Sequence, residues 1–274
     1  MKKNTLVKKL LGCGLAFTFA FGLAGCGAKD ESEMTQLEKI KDKGVMTVGT
    51  SPDYAPYEFI IMENGQKKVV GFDIAMAEEI AKDLDVKLEL KEMDFKMIVE
   101  SVKNGRIDLG ISGLTPDDER KKLVDFSMNY YEVEQGMLVK KDSTINTKDD
   151  LKGKKIGAQT GSVQAEMADT IEGAEVKKLD DVNTLILDLK NGKLDVILLE
   201  IPVANTAAAA NEDLRVGDEK IIYEKGGNAV AIKKGESDLV EAVNKTLERL
   251  IKEGKMEQFI KDAEALVSKE VPAE

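Results

Sequence analysis

Histidine is absent from all 274 residues, and the two cysteines, Cys13 and Cys26, both fall near the amino terminus. Ser-His-Asp catalysis, the usual zinc ligand sets and the commonest general base near neutral pH are therefore excluded. Paired carboxylates stay chemically open for catalysis, but no motif supports them. Reactive side-chain types do crowd one stretch, Ile111–Arg120, "ISGLTPDDER". Thr115 can cap a helix, Pro116 suits its first position, and Asp118 completes a capping box. Ser112, Gly113 and Arg120 stand in the same turn. A planar guanidinium grips a carboxylate through two parallel hydrogen bonds, and N–H groups at a helix start favour the same anion. The segment thus has two readings. It is helix punctuation, with Arg120 a solvated helix residue, or it is half of a pocket for a ligand bearing a carboxylate.

Either way a scaffold must aim these residues, and the chain carries a weak internal repeat that suggests one. "KNGRIDLGISG" from Lys103 pairs with "KNGKLDVILLE" from Lys190, and "KGVMTVGTSPD" from Lys43 pairs with "KGKKIGAQTGS" from Lys152. In each KNG copy an amphipathic helix ends at a glycine, and an apolar β-rich strand follows and opens into polar residues. The first copy reads as strands 45–50, near 67–71, 86–90 and 107–112 with helices 73–83 and 95–104. The second reads as strands 155–159, 175–179 and 194–199 with helices 162–170 and 181–191. Asn64-Gly65 is a hairpin turn signal. Strands alternating with helical pattern argue for α/β lobes, each a mixed, mainly parallel sheet flanked by helices.

The extended stretch "FSMNYYEVEQGMLVKK" is expected to cross from one lobe to the other, and a second crossing is expected near "YEKGGNAV", where Gly226 and Gly227 free the backbone. Helices 236–252 and 254–267 close the chain. This gives one lobe from 45–130 with 230–274, a second from 135–224, and a hinge at 131–134 and 225–229. Ligands of open α/β sheets sit beyond the carboxyl ends of the strands. Those ends fall at Ser112 and Glu200, so a cleft between facing lobes follows.

The amino terminus is of another kind. "MKKNTLVKKL" supplies four lysines, and Leu10 to Ala24 is apolar and uncharged. Such a pattern is an export signal, too short in its apolar part to span a bilayer as a helix. "LAGC" at Leu23–Cys26 resembles the bacterial lipobox, which makes 1–25 a lipoprotein signal peptide and Cys26 the lipidated first residue of the mature chain. Residues 26–44 then form a polar tether and a first helix. Residues 26–274 carry 36 basic and 51 acidic side chains, a formal charge of −15, which repels nucleic acid. With Cys13 removed and Cys26 lipidated, no disulfide, thiolate nucleophile or cysteine metal site is left. No cofactor and no metal are expected, and the domain is expected to be a monomer.

With these pieces in place, the chain from about Met46 to Ala263 resembles the bacterial extracellular solute-binding proteins of the polar amino acid type, the two-lobed type II binding subunits of ABC importers. The motifs are "VGTSPDYAPYEF", "VGFDIAMAEEIAKDL", "NGRIDLGISGLTPDDERKKLVDFS", "YYEVEQGMLVKK", "DLKGKKIGAQTGS" and "LDVILLEIPVA", in that order. The resemblance implies a free L-amino acid as ligand and a permease and ATPase as partners, with the binding protein held to the outer face of the membrane. Its carboxylate would meet Arg120 and the backbone N–H groups of Gly113 and Val163. Its ammonium would meet Glu200, where the family usually has aspartate, with Ser112 and Thr115. Tyr54 and Phe95 would flank its side chain, and Ser51, Asp53, Glu58 and Gln159 would supply polar contacts. Uncharged polar or basic ligands are expected over acidic ones. With no histidine, affinity is expected to vary little between pH 6 and 8. Two other functions fit the same fold: a ligand-binding sensor lipoprotein, and a cyclohexadienyl-dehydratase-like enzyme.

Overall fold

The computed structural model describes residues 34–221 and 227–270. Cys26, the export signal, Gly226 and the last four residues lie outside them.

The chain begins with α1 (Gln36–Lys43), β1 (Val45–Thr50), β2 (Asp53–Tyr54), β3 (Glu58–Glu63), β4 (Gln66–Val70), α2 (Phe72–Asp83), β5 (Lys87–Glu92), α3 (Phe95–Lys103), β6 (Leu109–Gly110), α4 (Asp118–Leu123) and β7 (Val124–Phe126). It continues through β8 (Gln135–Lys140), a 3₁₀ turn (Lys148–Leu151), β9 (Lys155–Gln159), α5 (Val163–Asp169), β10 (Glu175–Leu179), α6 (Val182–Lys190), β11 (Val196–Glu200), α7 (Ile201–Ala209) and β12 (Leu214–Val216). It then returns with β13 (Ala231–Lys233), α8 (Ser237–Lys252) and α9 (Lys255–Glu270).

Two five-stranded sheets result, in the orders β5-β1-β6-β13-β7 and β10-β9-β11-β8-β12. In each, three strands run parallel and a returning strand pairs antiparallel with the third. The repeat seen in the sequence is thus a repeat of position: β1 matches β9, and β6 matches β11. A separate three-stranded sheet, β2-β3-β4, carries the hairpin at Asn64 and Gly65. Both of those residues have positive φ, 52° and 76°, as a two-residue primed turn requires.

Burial explains why the strands hold. Every residue of β11, Val-Ile-Leu-Leu-Glu, is buried, as befits a strand covered on both faces. In α8, Leu239, Val243, Thr246, Leu247 and Leu250 recur at helical spacing on one buried stripe. Each fully buried leucine adds about 1.5–3 kcal/mol. Gly71 precedes α2 at φ 132°, where a Cβ would lie 2.0 Å from the Tyr57 carbonyl oxygen, so the approach of α2 to β3 needs glycine.

Two sequence expectations shift. The strand expected over 107–112 is reduced to Leu109–Gly110, although Asp108 and Ile111 still donate to Thr47 and Gly49. The helix expected to be capped by Thr115 begins at Asp118, with Asp117 as its cap, whose carboxylate accepts from the Arg120 N–H at 2.8 Å. A carboxylate at a helix start combines a hydrogen bond with a favourable dipole interaction, and it outcompetes the threonine hydroxyl. Pro116 therefore sits before the helix.

The two segments that connect the sheets lie side by side. Tyr131 and Asn228 form an antiparallel bridge, with Tyr130 N–H donating to the Asn228 carbonyl at 2.8 Å. No helix among the described residues is long and apolar enough to cross a membrane.

Candidate functional site

At the end of β6 the chain turns through Gly113, at φ 54°, and is held from below. Ser51 N–H donates to the Ser112 hydroxyl oxygen at 3.1 Å, and that hydroxyl donates to Glu58. Gly113 N–H donates to Asp73 Oδ2 at 2.9 Å. That hydrogen bond corrects one expectation, because the Gly113 donor faces inward to a buried carboxyl. The Thr115 N–H, two residues on, has no acceptor among the described residues.

Arg120 is buried and fixed. Its Nε pairs with Asp117 at 3.1 Å, Nη1 donates to the Thr115 carbonyl at 2.8 Å, and Nη2 crosses to the Gly161 carbonyl of the second sheet's side at 2.9 Å. Its guanidinium lies 5.3 Å from the centre of the Phe95 ring. Phe95 thus buttresses the arginine, while the Tyr54 ring packs near Tyr57 with centroids 5.6 Å apart.

From the other side come the loop after β9, the start of α5 and the end of β11. Ser162 caps α5, accepting from Ala165 N–H at 3.1 Å. The Val163 N–H that follows has no acceptor among the described residues. Glu200 ends β11 and is 1% exposed. Its N–H donates to the Tyr54 hydroxyl at 3.1 Å, and its Oε2 accepts from the Asn228 amide at 3.2 Å. Burial pushes the Glu200 carboxyl up to about 7, with the Tyr57 hydroxyl, the Asn228 amide and the Arg120 charge opposing and the Asp73 carboxyl adding to the rise.

These groups surround a narrow, nearly filled cavity. Tyr54, Phe95, Gly113, Thr115 and Arg120 line it from the side of the first five-stranded sheet and the β2-β3-β4 hairpin, and Gln159, Ser162, Val163, Gln164 and Glu200 from the side of the second. Ser162 and Gln164 were missed by sequence reasoning. Polar residues in the first turn of a helix carry no signal that separates a wall residue from a solvated one. Gln164 donates to Gln135 at 2.7 Å, which fixes its amide at the cavity floor.

Four expected contact residues stand behind the wall. Ser112 and Glu58 bond to each other as described, and Glu58 is fully buried. Ser51 donates through its hydroxyl to Asp53 at 3.1 Å. Asp53 reaches across the cleft, accepting from the Val182 N–H at 2.8 Å and from the Gln159 amide at 3.1 Å. Asp181 caps α6 within its own segment, while Asp53, on β2, takes the first amide of that helix from across the cleft; burial raises the Asp53 carboxyl to about 6. On the surface Lys96 and Asp180 bridge the same cleft at 2.6 Å. Among the described residues no group of three or more metal-ligating side chains is gathered.

A model of the bacterial extracellular solute-binding proteins, family 3, matches residues 46–262. The chain is 34% identical over 261 residues to the arginine-binding extracellular protein ArtP of Bacillus subtilis, covering 93% of this chain and 97% of that one. It is 34% identical over 239 residues to the L-cystine-binding protein TcyJ of Escherichia coli, covering 86% and 88%. A solved structure of the amino acid ABC transporter substrate-binding protein AbpA from Streptococcus pneumoniae, bound to L-arginine, superposes with a TM-score of 0.82 at 39% identity, covering 86% of this chain and all of that one. The type II two-lobed fold and the matched residues together place this chain in the bacterial extracellular solute-binding proteins, family 3.

Proposed function

We propose that the protein captures a free polar L-amino acid, uncharged or basic, outside the cytoplasm and delivers it to the permease and ATPase of an ABC importer. One observation carries the reading: Arg120 and Glu200, opposite in charge, face a single small cavity from opposite sheets. A zwitterion is the small molecule that satisfies both. Its carboxylate would take the guanidinium, exchanging the Thr115 and Gly161 carbonyls that Arg120 now holds, together with the N–H groups of Thr115 and Val163. Its ammonium would take Glu200 and the Thr115 hydroxyl. Tyr54 and Phe95 flank its side chain, and Gln159, Ser162 and Gln164 offer neutral polar contacts.

Ligand contacts drawn from both sheets favour the state in which the sheets approach. We assign the closing units to 45–130 with 230–274 and to 135–224, hinged at 131–134 and 225–229. The export signal and Cys26, outside the described residues, would tether the receptor to the outer face of the membrane as a monomer. Relatives named for arginine, cystine, histidine and glutamine support an amino acid and define a first panel of ligands. A thermal-shift screen of the twenty amino acids tests the reading. A ligand at a hundred times its Kd adds about 2.7 kcal/mol to stability. A flat response to all twenty would refute it.

A further inference from the structure

Glu58 on β3 and Asp73 on α2 are both fully buried, and among the described residues no lysine or arginine pairs with either. The backbone sets them side by side, since Asp73 N–H donates to the carbonyl of Tyr57, the residue before Glu58, at 3.1 Å. One oxygen of each carboxyl is engaged. Glu58 Oε1 accepts from the Ser112 hydroxyl, and Asp73 Oδ2 accepts from Gly113 N–H and from the Tyr130 hydroxyl at 3.0 Å. The other two oxygens, Glu58 Oε2 and Asp73 Oδ1, are buried without a partner. Two adjacent buried carboxylates with two orphaned oxygens are untenable as a pair of anions.

Building on the proposed amino acid site, we infer that Glu58 and Asp73 share one proton, carried on Glu58 Oε2 and donated to Asp73 Oδ1, and that this acid pair is the positioning device for the binding loop Ser112–Thr115. All four carboxyl oxygens are then satisfied. Ser112 and Gly113, consecutive residues of the loop, hang one from each member of the pair. Burial, with the neighbouring Asp73 charge, holds Glu58 far above the ordinary carboxylate range, whereas burial raises Asp73 to about 6 against the hydrogen bonds it takes from Gly113, Tyr130 and Glu58, as a donating Glu58 requires. The titratable groups facing the pair are Asp53, Glu200, Tyr54 and Tyr130, none of them a cation at neutral pH.

The test begins on the unliganded full chain at pH 8, where Glu200 is largely ionised. Infrared difference spectra of wild type against Glu58→Gln should show one protonated carboxyl that the variant lacks. Absence of that band would overturn the shared proton. Binding is then followed with L-arginine and L-glutamine as probes. The carboxamide of Glu58→Gln keeps a donor toward Asp73, so this variant should hold Kd within about threefold of wild type, while Glu58→Ala should weaken it at least tenfold with an unchanged circular dichroism spectrum. As pH is raised from 8, wild-type affinity should fall more steeply than that of Glu58→Gln, which has no shared proton to lose and follows the ligand's own amino group. The buried phenols of Tyr54, Tyr57 and Tyr130 are pushed well above their ordinary range and do not contribute to that fall. A folded Glu58→Gln as weak as Glu58→Ala, or a Glu58→Ala that binds like wild type, would overturn the positioning role. A wild type that binds neither probe would count against the ligand reading, while the infrared band would still decide the proton.

Discussion

Moving the unliganded protein from pH 8 to pH 6 should weaken amino acid binding about tenfold. The group responsible is Glu200, whose carboxyl is raised to about 7 by burial beneath Tyr54 and Tyr57. Only its ionised form offers an opposite charge to the ligand's ammonium. With that value the carboxylate fraction is roughly nine-tenths at pH 8 and one-tenth at pH 6. If the ammonium binds the ionised form alone, Kd rises by the inverse ratio, about tenfold or ~1.3 kcal/mol. Asp53 and Asp73, each near 6, are mostly ionised from pH 7 upward, so the upper half of the window isolates Glu200. Calorimetry at pH 6, 7 and 8, repeated in buffers of different ionisation heat, reads both the affinity and the proton released. About half a proton should leave on binding at pH 7. Glu200→Gln should bind more weakly at pH 8 and lose the pH dependence. A wild-type affinity constant within twofold from pH 6 to 8 would refute the reasoning and restore the flat profile expected from a chain without histidine. The same shift has a second sign. The folded state binds the Glu200 proton more tightly than the unfolded chain, so this group's contribution to stability falls as pH rises from 4.5 to about 7, by roughly 3 kcal/mol. Melting temperature without ligand should therefore be higher at pH 5.5 than at pH 8, opposite to the trend in affinity.

Arg120→Ala should abolish measurable binding in calorimetry, a loss of about 3–5 kcal/mol from leaving the ligand carboxylate buried beside no cation; micromolar affinity in the folded variant would contradict the assignment. Asp53→Ala removes the acceptor of the Val182 N–H across the cleft and frees the Gln159 amide of the cavity wall, and should cost about 0.5–1.5 kcal/mol of closure for each lost hydrogen bond. Stopped-flow should see this as faster ligand release, and an unchanged release rate would argue that Asp53 is idle. Gly71→Ala forces a Cβ to 2.0 Å from the Tyr57 carbonyl, so a thermal melt should show a loss of at least ~2 kcal/mol or no folded protein. A wild-type melting temperature would show that α2 shifts freely.

Much of the scaffold was legible because periodicity and turn chemistry are local. β1, β9 and β10 fall on the residues expected of them, and the Asn64-Gly65 turn has the conformation its residues demand. Arg120 and Glu200 were found through the order of motifs, and both line the cavity. The cap of α4 was not legible: Thr115 and Asp117 are both competent, and spacing alone cannot rank them across a proline. Burial was the larger omission. Glu58 is expected from the resemblance among the polar contacts to the ligand, and only the packing of α2 on β3 makes it an interior acid. The expectation of a flat pH profile counted histidines, whereas desolvation can bring a glutamate into the same range. Gly113 N–H faces Asp73 for a similar reason, since the acceptor lies 40 residues away in sequence.

Asp53 accepts from the first amide of α6 across the cleft, so under the proposed hinge motion that amide would change its surroundings with every opening. Val182 N–H is bonded to Asp53 in this structure and would meet water in an open one. Its hydrogen-exchange rate, read by NMR on the unmodified chain, would therefore count spontaneous openings without a fluorescent label or an engineered cysteine. Added amino acid should slow that exchange in proportion to occupancy, which turns one backbone amide into a native clock for the receptor's cycle.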